Sequence, residues 1–136
     1  MAITGSCLCG SVGYEISGRL LDACHCHCSM CRKAHGAAYA TYASLQPETF
    51  RWTSGEEFVT RYDSSPTMSR VFCSVCGSKL AVTEDGQIDA ITLGTVEGDP
   101  GIRPRSHIFA GSKAPWHEIS DALLRFEEWP PGEGWA

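Results

Sequence analysis

Eight cysteines stand in three tight groups along 136 residues: Cys7 and Cys9; Cys24, Cys26, Cys28 and Cys31; Cys73 and Cys76. Grouped thiols serve either a disulfide framework or metal and redox chemistry, and the compartment decides between them. The first seventeen residues have no basic segment followed by an uninterrupted apolar stretch, and no eighteen apolar residues run together. The expectation is a non-exported, non-membrane protein of the cytoplasm, where thiols stay reduced. The cysteines are therefore expected to hold metal or carry chemistry. A tetrahedral zinc needs four soft or borderline ligands, and a C-x-x-C or C-x-C pair supplies two of them from one tight turn. Cys73-Ser74-Val75-Cys76-Gly77 has the form of a zinc knuckle, with Gly77 free to take the backbone conformation that brings amides toward the sulfurs.

The apolar pattern around these groups is short and alternating. Val12, Tyr14 and Ile16 point one way before Gly18 ends the run, which predicts a β-strand. Further strands are predicted over 37–44, 49–53, 58–62, 69–72, 79–83 and 88–93, separated by turn signals such as Ser54-Gly55, Ser64-Ser65-Pro66 and Asp85-Gly86. This spacing belongs to an antiparallel, all-β chain, and 136 residues suit one domain spanning 1–136. Only 29–35 and 118–124 leave room for a short helix. The Gly-, Pro- and charge-rich run 97–108 reads as a long surface loop, and the tail around Trp129 and Trp135 as an irregular segment packed by its aromatics.

Two knuckle pairs close one zinc site, and the spacing alone leaves the partner of Cys73/Cys76 open. Cys28/Cys31 would enclose a long insertion; Cys7/Cys9 is equally allowed by topology. With Cys7 and Cys9 so used, Cys26-His27-Cys28-Ser29-Met30-Cys31 forms a separate cluster of three thiolates. Three protein ligands are the mark of a catalytic zinc, whereas structural zinc is saturated by protein. On a continued strand Cys24, Cys26 and Cys28 would share a face, so Cys24 is either a fourth ligand or a small core residue. His25 and His27 would face the other way, with His27 a hydrogen-bonding partner rather than a ligand.

Four ordered segments carry a resemblance: Gly5-Ser6-Cys7-Leu8-Cys9-Gly10-Ser11-Val12, Cys26-His27-Cys28-Ser29-Met30-Cys31-Arg32, Phe72-Cys73-Ser74-Val75-Cys76-Gly77-Ser78, and His107-Ile108-Phe109 with Ser112-Lys113-Ala114-Pro115-Trp116. Together they resemble the glutathione-dependent formaldehyde-activating enzyme family, which shares its domain with centromere protein V-like proteins. The resemblance implies an Mss4-like fold of antiparallel sheets, with zinc knuckles and at most short helices. It also implies two zinc ions, a structural one on Cys7, Cys9, Cys73 and Cys76 and a catalytic one on Cys26, Cys28 and Cys31. The implied activity is addition of glutathione to formaldehyde or a related aldehyde, a carbon-sulfur lyase in reverse. Cys24 is an addition to the family pattern.

A site with three anionic thiolates calls for cationic support, and Arg32 and Lys33 beside the cluster are candidates to supply it or to pair with glutathione carboxylates. His107, as an acid or base, and Lys113 are further candidate substrate contacts. Arg103, Arg105 and Trp116 are weaker ones, since charged loop residues are usually solvated and a Trp after Pro usually anchors packing. The competing function is a non-enzymatic, zinc-stabilised Mss4-like binding module; a redox pair of Cys24 and Cys26 ranks last, because C-x-C along a strand is awkward for a disulfide. Eleven Lys and Arg against sixteen Asp and Glu give a net charge of −5, which argues against a nucleic-acid partner.

Overall fold

In the computed structural model, which describes residues 2–131, the chain forms two sheets. Trp135, expected to pack the tail, lies outside the described residues. β1 (Ile3–Ser6) and β2 (Gly13–Ile16) make a hairpin. β3 (Asp22–Cys26) leads through Cys28 into the one α-helix among the described residues, α1 (Ser29–His35), and β4 (Ala40–Ser44) returns antiparallel to β3. β5 (Phe50–Ser54) joins the first hairpin, closing a three-stranded sheet in the order β1-β2-β5. The remaining strands are β6 (Val59–Asp63), β7 (Met68–Cys73), β8 (Lys79–Glu84), β9 (Gln87–Thr92), β10 (Ser106–Ile108) and β11 (Leu124–Arg125). With β3 and β4 they form a second sheet in the order β11-β10-β3-β4-β9-β8-β7-β6. The architecture is all-β and Mss4-like, antiparallel except where β10 runs parallel to β3 and β11.

Alternation along the strands sorts the core into two layers. Val12, Tyr14 and Ile16 are buried on one side of the small sheet, as their period of two requires. They pack against Ala23, Ala43, Ala81 and Ile91 of the large sheet, and Tyr14 stacks on Phe50 with ring centroids 5.3 Å apart. The intervening residues Cys24, Tyr42, Val82 and Ala90 point to the opposite face, where they meet Cys26, Cys31 and Ile108. One face of the large sheet is thus the main core, and the other carries the sulfurs beneath α1.

Two expectations are corrected here. The stretch 97–108 begins as a surface loop but ends as β10, whose three residues are all buried. The helix expected over 118–124 does not form. The Asp121 carboxylate accepts the Leu123 backbone N–H at 3.0 Å, a local bond that competes with helical pairing, and the following segment instead lies along β10, with Phe126 N–H donating to His107 O at 2.9 Å.

Candidate functional site

The β1–β2 and β7–β8 turns each present two cysteines, and the four sulfurs of Cys7, Cys9, Cys73 and Cys76 lie within 4.8 Å of one another. Each turn is closed by a glycine with positive φ. Gly10 (φ 81°) donates its N–H to Cys7 O at 3.2 Å, and Gly77 (φ 80°) donates to Cys73 O at 2.8 Å. Ser78 ties the turns together: its Oγ accepts the Leu8 N–H at 2.9 Å and lies 3.2 Å from Cys76 Sγ. That hydroxyl, aided by backbone N–H groups, holds the Cys76 thiol down to about 5. Four soft donors from two glycine turns fit a tetrahedral metal ion and would staple the small sheet to the large one.

The second cluster is built by a strand end and a helix start. Cys26 is the last residue of β3, Cys28 is the N-cap of α1, and Cys31 sits in its first turn, with the three sulfurs again within 4.8 Å of one another. Cys28 has left the strand, so the expected shared face of Cys24, Cys26 and Cys28 holds only for the first two. Its sulfur accepts the Cys31 backbone N–H at 3.3 Å, the bond an N-cap side chain makes. Hydrogen bonds from the Cys26 and Cys31 thiols, with lesser help from that N–H and from Arg70, hold Cys28 far below the usual thiol range. The same bond to Cys28 pushes Cys26 up. The three converging sulfurs have the donor chemistry of a zinc ion held by three thiolates. Cys24 is not part of the group; it is buried and its thiol is pushed up by that burial, as for a small core residue.

Cys31 is framed by two groups from the sheet. Tyr42 Oη lies 3.7 Å from its sulfur, and the Arg70 guanidinium directs Nη1 and Nη2 at it, both at 3.8 Å, while Nη1 also donates to Tyr42 Oη at 3.0 Å. Beyond Arg70, between α1 and the strands β6, β7 and β8, opens a cavity of about 620 Å³ lined by Lys33, Arg70, Lys79, Met30, Tyr62 and Phe72 among others.

The model of the glutathione-dependent formaldehyde-activating enzyme family matches residues 2–112. This chain belongs to that family. A Halomonas elongata protein, named provisionally as a glutathione-dependent formaldehyde-activating enzyme, is 32% identical over 130 residues, covering 88% of this chain and 82% of its own length. A crystal structure of a Rhodobacter sphaeroides protein superposes with a TM-score of 0.56 at 30% identity, covering 75% of this chain and 92% of that one. The family match takes in both sulfur clusters and ends before Lys113.

Against the expectations for a member of the family, the cationic candidates separate. Lys33 lines the cavity beside the trio, and Arg32 on the same helix has its Nε buried without a hydrogen-bond partner. Arg103 and Arg105 are occupied by Asp99 and Asp22, at 2.9 and 2.7 Å. Lys113 turns its ammonium onto the carbonyls of its own loop, His117 O at 2.6 Å and Ala114 O at 3.3 Å. Trp116 is exposed rather than a packing anchor.

His107 lies away from the trio. It pairs in register with His25, while its neighbour Ile108 pairs with Cys26, so alternation turns His107 to the face opposite the trio. There it is buried, with Nε2 3.0 Å from the Asp121 carboxylate and Nδ1 2.8 Å from His27 Nε2. The proton order that satisfies these bonds has His107 Nε2–H donating to Asp121 and His27 Nε2–H donating to His107. Both ring nitrogens of His107 are used, and it acts by bracing His27, which lies between two of the trio's cysteines. His27 is the hydrogen-bonding partner the sequence predicts, and burial holds it at about 4, hence neutral. Sequence reasoning missed Arg70, Lys79 and Tyr42; the alternation Met68, Arg70, Phe72 along β7 puts Arg70 on a definite face but does not say that this face carries sulfur.

Proposed function

We propose that this protein holds two zinc ions, a structural one on Cys7, Cys9, Cys73 and Cys76 and a catalytic one on Cys26, Cys28 and Cys31, and joins glutathione to formaldehyde or a related small aldehyde. The observation that carries this reading is the trio: three converging sulfurs, no fourth cysteine among the described residues, and a guanidinium rather than a carboxylate beside them. A tetrahedral ion with three protein ligands leaves its fourth position to substrate. Bound there, zinc supplies the Lewis acidity that favours the thiolate form of an entering thiol.

The chain's own groups do the rest. Arg70, with Lys33 and Arg32 on α1, offsets the negative charge that builds when a further thiolate approaches three sulfurs. The half-buried setting of Cys28 and the apolar wall of Ala40, Val82 and Ile108 keep water from the sulfurs. In the reaction the substrate S–H bond breaks, a carbon–sulfur bond forms at the aldehyde carbon, and the C=O pair moves to oxygen, which takes up the proton. The reverse is the lyase direction. Unpaired cysteines in this number favour a cytoplasmic setting, and the net charge of −5 speaks against a nucleic-acid partner; no helix among the described residues is long and apolar enough to cross a membrane.

Glutathione and formaldehyde combine without a catalyst, so the test is a rate. Exchange spectroscopy by NMR on an equilibrium mixture of glutathione, formaldehyde and adduct is expected to show interconversion that accelerates in proportion to protein concentration. No acceleration over the protein-free mixture would overturn the enzymatic reading and favour the zinc-stabilised binding module.

A further inference from the structure

The sulfurs of the trio are not held alike. Cys28 Sγ accepts a backbone N–H, whereas Cys31 Sγ faces a hydroxyl and a guanidinium from two strands of the large sheet. That hydroxyl has partners of its own. Tyr42 is buried on β4, Arg70 Nη1 donates to its oxygen at 3.0 Å, and His35 Nε2 lies 3.2 Å from it. Cys31 and His35 stand four residues apart on α1, so one face of the helix brings both onto the same phenol oxygen. The imidazole meets the phenol ring edge-on, with centroids 5.7 Å apart and planes at 90°.

A guanidinium, an imidazole and a sulfur therefore meet at an oxygen that owns one proton. The guanidinium only donates, so it occupies a lone pair of Tyr42 Oη. His35 decides the rest. Burial, helped by the charges of Arg70 and Lys79, brings its ring down to about 4, so near neutral pH it is uncharged and carries a single proton. With that proton on Nε2, His35 donates to Tyr42 and the phenol proton turns to Cys31 Sγ. With it on Nδ1, the bare Nε2 takes the phenol proton instead. A sulfur that ligates a metal is a thiolate, and an anion is a stronger acceptor than a neutral imidazole. We propose that Tyr42 is a positioning residue of the second site: with His35 Nε2–H and Arg70 both donating to its oxygen, it gives its proton to Cys31 Sγ and makes Cys31 the weakest electron donor of the three sulfurs. A weakened donor leaves more positive charge on a bound ion, which favours the thiolate form of an entering thiol. The assignment rests on the trio as a metal centre, and its kinetic consequence rests on the thiol-adduct reading above.

The test begins with the parent protein. Long-range proton–nitrogen NMR of the zinc-loaded, nitrogen-15-labelled chain is expected to show His35 with its proton on Nε2; a proton on Nδ1 would overturn the assignment, whatever any variant does. The second measurement replaces zinc by cobalt(II) in the parent and in Tyr42→Phe, which keeps the ring and removes the hydroxyl. Loss of a hydrogen bond to a thiolate is expected to move the sulfur-to-cobalt charge-transfer absorption to longer wavelength. Tyr14→Phe removes another buried hydroxyl, bonded to Thr95 Oγ1 at 2.8 Å in the other core layer, and is expected to leave that absorption where it is in the parent. An unshifted Tyr42→Phe spectrum at equal cobalt content, or an equal shift in Tyr14→Phe, would overturn the assignment. Adduct exchange in zinc-loaded Tyr42→Phe is expected to fall about 10- to 100-fold at unchanged zinc content. Exchange accelerated equally by parent and variant would sink the role of Tyr42 and leave the thiol-adduct reading standing. A shifted spectrum and an Nε2 proton, in a parent that accelerates no exchange, would uphold the bond to Cys31 while the enzymatic reading falls.

Discussion

The Cys73→Ser variant is expected to lose cooperative folding. Cys73 is fully buried at the end of β7, and its cluster joins the turn of the β1–β2 hairpin to that of β7–β8, so a metal ion held there would bridge the two sheets. A structural zinc contributes apparent folding free energy of about 10–16 kcal/mol. That is as large as the whole net stability of a typical domain, about 5–15 kcal/mol. Serine is a poor zinc ligand and leaves a hydroxyl in an apolar layer, so both terms work against the fold. Thermal unfolding followed by circular dichroism should show no sigmoidal transition, and chelation of the parent protein should produce the same profile. A transition within a few degrees of the parent would mean that this cluster does not hold the sheets together.

The second large effect separates chemistry from folding. In Cys28→Ser the new hydroxyl can accept the Cys31 N–H, since serine is among the best N-caps, so α1 should start where it does now. The trio nevertheless loses one of its three sulfurs. Loss of a group that merely supports a metal ligand costs about 10- to 100-fold in metal affinity or activity, so loss of a ligand itself should cost more than about 100-fold and return adduct exchange to the uncatalysed rate. Melting should stay close to the parent. Undiminished exchange would remove the trio from the mechanism, and collapse of the fold would make its zinc a second structural ion.

Much of this arrangement is legible in the chain, for identifiable reasons. Val12, Tyr14 and Ile16 alternate cleanly because their strand is exposed to one core only, and 29–35 is bounded by a cysteine cap and by Gly36 in a left-handed conformation. Each two-cysteine knuckle follows from a local turn, at Gly10 and at Gly77, but which two pairs share a site depends on the sheets and was indicated only by the family resemblance. The facing of His107 is not legible because β10 has only three residues, too few to display a period, and is set by parallel pairing with β3 some eighty residues away. The setting of Lys113 is hidden for a simpler reason, since loop carbonyls that capture an ammonium leave no pattern in the chain. Arg70 and Lys79 become visible as site residues only once the sheet order sets β7 and β8 beneath α1. Cys24 shares the face of Cys26, as alternation requires, yet its sulfur stays out of the trio because Cys28 and Cys31 approach from the helix instead.

The central claim is one closed and one substrate-accepting thiolate site in the same chain. Elemental analysis of zinc per chain, before and after equilibration with glutathione and removal of free ligand, tests it most directly. The account predicts two zinc ions per chain, with glutathione retained in proportion to the second. Two zinc ions with no retained thiol would contradict it, by showing that the second site is already saturated by protein.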